Sequence, residues 1–480
     1  MSKPARTLYA VLTAAVLCLQ IITNASGQVF DAKIEIGAAS RVMASGRFLR
    51  TDELKSPRNF SFEGRGLGMG HPATRLSNLA LLDSTGQNIN YRKLIDGEYL
   101  AERDVAAWRF EVDLAPVKDR SGGAHVSWIS GERGLLMAAD LLPVNARFGK
   151  IQFDLPAGWE VHGPNSDDGD VRPSVFAIGM GWDRTSAGSG PELLINGKWH
   201  FTPAEAAAMG EQIYLSHRDL FKDDVANSRV ILMNFPVATP PGNWEAETRA
   251  KTIIIISSDM PFKSQSLQRL HEQLRHEMFH LWIPNGVNLT GNYDWFYEGF
   301  ALYRSLKLAV GANRIRFEDF LDTLSRAHTI DSARSQRGSL IQASAARFAG
   351  ANTQVYARGM LVAFLCDLAL LSKSNRKSSV ETILHDLYTR HRKPAPPADG
   401  NTIVLALLRS NPELVPIVDK YITGVDNIEW TAELAAAGLK DEDAGPSTVL
   451  RVLDKPRGRQ KALLDKLGYN NWRKLSPKSK

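Results

Sequence analysis

The chain has 480 residues, 44% hydrophobic and 23% charged, with 37 Gly and 23 Pro; this balance excludes a collagen-like, a wholly disordered or a polytopic membrane protein and leaves room for roughly two to four domains. The net charge is +6, but ten Lys or Arg against two Asp lie between Arg451 and Lys480, and Lys3 and Arg6 stand near the start, so residues 28–450 carry −4. A basic surface footprint is therefore missing, and no nucleic-acid partner is expected.

Lys3 and Arg6 precede an apolar run from Leu8 to Ile22, and Ala25-Ser26-Gly27 supplies small residues for cleavage. This reads as a signal peptide over 1–27, because 15 residues fall short of the ~20 a spanning helix needs. The expected mature chain is exported to a periplasmic or extracellular space and has no transmembrane segment once the signal is removed. Cys18 lies in the leader and leaves Cys366 alone, so no internal disulfide is expected.

From residue 28 to about 189 the signals are those of strands: Trp108, Phe110, Val112 and Leu114 alternate, as do Ile151, Phe153 and Leu155. After Gly188-Ser189-Gly190 the pattern changes. Thr202-Pro203-Ala204-Glu205 is a capping box with Pro at the first helical position, opening a helix to about Phe221. Two buried-type strands follow, Val230 to Met233 and Thr252 to Ser257. Helices are then expected at about 265–283, 294–308, 316–327, 355–372, 379–392 and 402–422. From Ala444 onward the chain is basic and short in apolar runs, which predicts a loosely packed tail.

Within the first of these late helices stands His276-Glu277-Met278-Phe279-His280. A 3.6-residue period puts the two histidines one turn apart on one face, where both imidazoles can reach one ion. Glu277 sits beside them, placed to take a proton from a water at the metal. A catalytic zinc needs a third protein ligand and an open position. Glu298, 17 residues beyond His280, is the best candidate. Pro284 ends the first helix, and the turn-rich segment from Asn285 to Asn292 lets the chain reverse. Glu298 also sits among Trp295-Phe296-Tyr297 and Gly299-Phe300-Ala301, where an unpaired carboxylate would be costly.

His276-Glu277-x-x-His280 followed by Trp295-Phe296-Tyr297-Glu298-Gly299-Phe300-Ala301 resembles the gluzincin metallopeptidases. Phe279-His280-Leu281-Trp282 narrows the likeness to the glycyl aminopeptidase family, which is distantly similar to the membrane alanyl aminopeptidases. A third block, Tyr356-Ala357-Arg358-Gly359-Met360-Leu361-Val362-Ala363 with Asp367 beyond, looks like that family's Y-x-x-G-x-L-V-A-x-x-x-D helix. The resemblance implies one Zn2+ held by His276, His280 and Glu298, Glu277 as general base, and Tyr356 as hydrogen-bond donor to the tetrahedral intermediate. It further implies substrate contacts in Gly242-Asn243-Trp244-Glu245, with Gly242 approaching the substrate backbone and Glu245 holding its α-amine, although this segment keeps only one Gly and a Glu of the relatives' pattern.

The expected fold is thus α+β and multidomain: a β-rich domain over 28–189, a thermolysin-like gluzincin catalytic domain over 190–328, a C-terminal helical region over 329–443 and the basic tail, 444–480. The expected function is a zinc-dependent peptidase acting on peptide substrates as an aminopeptidase, by a zinc-activated water with Glu277 as base. Two alternatives stay open at this point: an endopeptidase or oligopeptidase on extended peptides, and a catalytically silent zinc- or peptide-binding protein. Asp294 and Asp367 are candidates for the carboxylates that orient the zinc histidines.

Overall fold

In the strands Arg41–Phe48 and Ala107–Asp113 the alternation of apolar and polar residues gives one buried face. The computed structural model describes residues 28–37, 40–49, 57–63, 72–116, 123–164, 169–334, 337–444 and 447–471. The expected leader, 1–27, and the last residues of the tail, 472–480, lie outside them. The chain folds as two compact units. One comprises the described residues up to Gly181 with Pro236–Ala238, the other Trp182–Phe235 and the described residues from Thr239 onward.

The first unit is built on a six-stranded sheet in the order Ala146–Asp154, Gln28–Ile36, Arg41–Phe48, Ala107–Asp113, Leu76–Leu82 and Asn88–Ile89. A four-stranded and a three-stranded sheet accompany it. Trp108, Phe110 and Val112 point from one face of their strand into a core shared with Phe30, Ile34, Val42 and Phe60.

The second unit opens earlier than the change in sequence pattern near residue 189 suggested, because β1 (Asp183–Thr185) already pairs with β2 (Glu192–Asn196). With β3 (Arg229–Met233), β4 (Trp244–Arg249) and β5 (Thr252–Ser257) they form a sheet in the order β1-β2-β3-β5-β4, which leaves β4 at an edge. β2, β3 and β5 run parallel, and Ile253 to Ile256 of β5 are fully buried, as a continuous β-branched run demands. Between β2 and β3 lies α1 (Pro203–Phe221), whose Thr202 Oγ1 accepts from the Glu205 amide at 3.2 Å while Glu205 Oε2 accepts from the Thr202 amide at 2.9 Å.

The helices that follow are α2 (Lys263–Glu277), α3 (Asp294–Gly311), α4 (Phe317–Ser332), the short α5 (Leu340–Ala345), α6 (Asn352–Lys373), α7 (Val380–His391) and α8 (Gly400–Arg409). The helix expected over 402–422 is broken. Asn411 is extended before Pro412, and the chain continues through short turns to Ile422, because proline lacks an N–H and drives the residue before it out of the helical region. The expectation of a loose tail is also corrected. After α9 (Thr431–Ala437), strands β6 (Leu439–Ala444) and β7 (Ser447–Val452) form a hairpin, and α10 (Gly458–Leu467) follows. Leu450, Leu463, Leu464 and Leu467 are buried in the same core as α2 and α3, and the Leu450 amide donates to Ser325 Oγ of α4 at 2.9 Å. Few apolar residues suffice there because each falls on an inward position.

Two features of α6 position the site. Its length and apolar composition would suit a membrane span, yet 83% of its most apolar window is buried, so it is a core helix. It crosses α3 in backbone contact: a Cβ added to Gly299 would lie 2.4 Å from the Gly359 carbonyl carbon, and one added to Gly359 would lie 2.5 Å from the Trp295 carbonyl oxygen. Glu298 and Tyr356 flank this crossing. Two residues beyond Tyr356, Arg358 is fully buried, with Nη1 2.9 Å from Asp331 Oδ2 of α4, Nε donating to the Tyr421 carbonyl at 3.1 Å and Nη2 to the Asp426 carbonyl at 2.6 Å.

Candidate metal centre

His276 and Glu277 close α2, and the chain then tightens into a 3-10 turn, Met278–Leu281, that carries His280. The single long helix expected over 265–283 is thus an α-helix followed by a tighter turn. Glu298 comes from the second turn of α3, which the segment after Pro284 returns toward α2. The three side chains meet. Nε2 of His276 and Nε2 of His280 are 3.3 Å apart, and Glu298 Oε2 lies 3.2 Å from the first and 3.5 Å from the second. All are nearly buried, at 6–7% exposure.

A point equidistant from three atoms so spaced lies about 1.9–2.0 Å from each, close to the Zn–N and Zn–O lengths of ~2.0–2.2 Å. Two imidazoles and one carboxylate are also the donor set of a zinc site with one position left open. The residues therefore fit zinc, and they are the one group among the described residues in which three such donors converge. His280 Nδ1 lies 3.0 Å from the Ile283 carbonyl oxygen, which fixes the tautomer that presents Nε2 to the cluster. Burial alone would push the His280 pKa down, but the Glu298 carboxylate outweighs it and raises it. Burial likewise acts to raise the Glu298 carboxyl, and His280, His276 and Arg347 together hold it well below the usual range.

Neither aspartate expected behind the histidines is their partner. Asp367 accepts from Tyr303 Oη at 2.6 Å and from Lys307 Nζ at 2.9 Å, tying α6 to α3. Asp294 receives Arg347 Nη1 at 2.8 Å. The physical reason is phase: Asp294 is one helical turn before Glu298, and Asp367 lies three turns beyond Tyr356, so each meets residues of its own level. His276 Nδ1 is buried and has no hydrogen-bond partner among the described residues.

Glu277 is 4% exposed, and Thr248 Oγ1 of the edge strand β4 lies 2.8 Å from its Oε2 and 2.9 Å from its carbonyl oxygen. Thr248 was not evident from sequence, since only the register of β4 shows which of its faces meets α2. That same alternation puts Glu245 on the opposite face of β4, together with Glu247 and Arg249, which pair at 2.9 Å. Gly242, with φ +84°, turns into the strand beside Met260. The structure thus brings His276, Glu277, His280 and Glu298 together, and does not place Glu245 on the Thr248 side.

Tyr356 lies beside this cluster, its ring 6.4 Å from that of His276. Burial first, and then the Glu298 charge, push its phenol well above the usual range, so it is a neutral donor at any physiological pH. Its hydroxyl accepts from Arg347 Nη2 at 2.6 Å, and the same guanidinium lies 3.0 Å from Glu298 Oε1. Arg347 sits in a 3-10 turn between α5 and α6 and was not marked by any sequence pattern.

The architecture defines a class: the chain has the two-domain fold of M1 zinc metallopeptidases, as the gluzincin resemblance implied. A crystal structure of an aminopeptidase N family protein from Idiomarina loihiensis superposes with a TM-score of 0.71 at 14% identity, covering 86% of this chain and 79% of that one. An M1 zinc metallopeptidase from Deinococcus radiodurans, a glutamate-to-alanine variant bound to a Tyr-Ser-Ala substrate, gives 0.54 at 13% identity, covering 83% and 94%. The unsubstituted Deinococcus protein gives 0.52 at 14% identity, covering 84% and 95%. No family model matches the chain. No curated protein matches it at the level of sequence either.

Proposed function

We propose that this chain is a zinc-dependent peptidase, and specifically an aminopeptidase. The observation that carries it is the convergence of His276, His280 and Glu298, with the buried Glu277 carboxylate near enough to act on His280 through its charge. When bound, zinc supplies a Lewis acid that polarises the scissile carbonyl and makes water a usable nucleophile near neutral pH. Glu277, held by Thr248, accepts a proton from the attacking water and returns it to the leaving amine. Tyr356 donates its proton as a hydrogen bond to the oxygen that gains charge. The Deinococcus protein of the same fold takes a tripeptide as substrate, which supports short peptides here. Gly242 and Glu245 are proposed as the contacts to the substrate backbone and α-amine.

The test is hydrolysis of matched peptides with free and acetylated N-termini by zinc-loaded protein, with Glu277→Gln as the blank. Cleavage confined to the free series supports the aminopeptidase. Cleavage of both, which the facing of Glu245 away from Thr248 would favour, replaces it with an endopeptidase. Cleavage of neither refutes the peptidase and leaves a zinc-binding protein.

A further inference from the structure

Arg347 reaches both the candidate zinc carboxylate and the candidate oxyanion donor with one nitrogen. Its Nη2 lies 3.0 Å from Glu298 Oε1 and 2.6 Å from Tyr356 Oη. Its other nitrogens are occupied elsewhere: Nη1 donates to Asp294 Oδ1 at 2.8 Å and Nε to Asn352 Oδ1 at 3.3 Å. The side chain is only 14% exposed, so this arrangement is built into the interior rather than laid on a surface.

A guanidinium has five N–H groups in a rigid plane and no acceptor, which fixes the direction of every bond it makes. Toward Glu298 it occupies Oε1 and leaves Oε2 to face the two histidines, as the 3.2 and 3.5 Å distances show. Toward Tyr356 it can only donate, so the phenol accepts there and its own proton points away from the guanidinium, toward Glu298 in this structure. A carbonyl or carboxamide in this place would instead draw that proton away from the reacting bond. Asp294 and Asn352 hold the fork from behind, one on α3 and one on α6, so the guanidinium also sets the spacing of the two helices' functional side chains.

We propose that Arg347 is a positioning residue of this centre, one that makes Glu298 a one-oxygen ligand and Tyr356 a directed donor. The inference rests on the zinc-peptidase reading above. Neither the neutralisation of Asp294 nor simple packing would require contact with both functional groups.

The experiment compares Arg347→Met and Arg347→Lys with the unsubstituted chain, each loaded with zinc for kinetics and with cobalt for visible spectroscopy, and repeats Arg347→Met in a Tyr356→Phe background. The cobalt bands are expected to shift in both single variants, because Glu298 is free to rotate. Turnover should fall about 10- to 100-fold with KM within about 2-fold, the range seen when a group behind a metal ligand is lost. In the Tyr356→Phe background the same substitution should cost clearly less than in the native background, because only the share that acts through Glu298 is left to lose. Unchanged cobalt bands together with equal losses in the two backgrounds would overturn the proposal. An unsubstituted chain that takes up neither metal would instead overturn the peptidase reading and this inference with it. Should Arg347→Met fail to fold by circular dichroism, Arg347→Lys, which keeps the charge but not the planar fork, carries the same readouts.

Discussion

The crossing of α3 and α6 at Gly299 and Gly359 ties packing to chemistry closely enough to be tested. In Gly299→Ala the new methyl would lie 2.4, 2.5 and 2.8 Å from the carbonyl carbon, Cα and oxygen of Gly359, whereas ordinary contacts begin at 3.4 Å. The obstacle is backbone, so the helices must separate by about 1 Å or tilt. Overpacking costs about 1–3 kcal/mol, and replacing a helical glycine by alanine returns up to ~1 kcal/mol, so net destabilisation is about 0–2 kcal/mol. Spread over a unit of this size, that lowers Tm by only a few degrees, at about 2–4 °C per kcal/mol. Glu298 and Tyr356 flank the crossing, however, and a misplacement of about 1 Å between reacting groups can cost about 10²-fold in rate. The expected result is turnover reduced by about two orders of magnitude in a protein that melts almost normally. Gly311→Ala is the control. It lies on the same helix with only Asn471 Nδ2 near its absent Cβ, at 4.0 Å, and should leave turnover unchanged. Differential scanning calorimetry and steady-state kinetics on a free peptide measure both quantities. A Gly299→Ala protein with undiminished kcat would show that the close crossing does not govern the site.

Tyr356→Phe should lower kcat by about 10²–10³ with zinc content unchanged, read by kinetics and metal analysis; an unaffected rate would return Tyr356 to ordinary packing. Thr248→Val removes the donor to Glu277 while keeping its shape. A hydrogen bond to a charged group is worth about 1.5–3 kcal/mol, so kcat should fall about 10- to 150-fold, whereas Thr248→Ser should stay near normal; equal rates in Val and Ser variants would refute the orienting role. His217 is fully buried, and burial, with a smaller push from Arg304, lowers its pKa to about 3. Between pH 3 and about 6.5 the unfolded chain therefore binds a proton that the folded chain does not, so stability falls as pH falls through this window. At pH 5 the loss relative to pH 7 is about 2 kcal/mol from this residue. His217→Gln should flatten the drop in Tm from pH 7 to 5, and an identical drop in both proteins would count against it.

Much of the centre was readable because its signal is local. Two histidines four residues apart declare their common face wherever a helix forms, and Glu298 stands in an apolar setting that no solvated carboxylate would choose. The glycines of the Trp295–Ala301 and Tyr356–Ala363 blocks were visible as letters, but their reason, a backbone crossing, exists only in three dimensions. Arg347 lies 49 positions after Glu298 in a turn without periodicity, so no pattern connects the two. Thr248 and Glu245 differ by an odd number of residues on one strand, and the face each takes depends on pairing register. The late helix failed at Pro412 because apolar spacing was given more weight than the missing amide. The last strand and helix were missed because their few leucines are too sparse to form a run, although each lands inward.

The buried Arg358 has a consequence for how the molecule can vary. Helix α6 has 16 of its 22 residues buried, and apolar burial is nearly indifferent to direction, so hydrophobic contacts hold such a rod firmly without choosing its angle about its own axis. The ion pair with Asp331 and the two carbonyl bonds make that choice, and a rotation that breaks them also turns Tyr356 away from the histidines. Stability and azimuth are thereby assigned to different residues. Conservative shuffling among Leu361, Val362, Leu365 and Leu368 should move Tm while sparing turnover. Arg358→Met leaves the buried Asp331 unpaired and so lowers Tm as well, but in any variant that remains folded turnover should fall further than in a core variant of equal Tm; equal turnover at equal Tm would show that the pair does not set the azimuth.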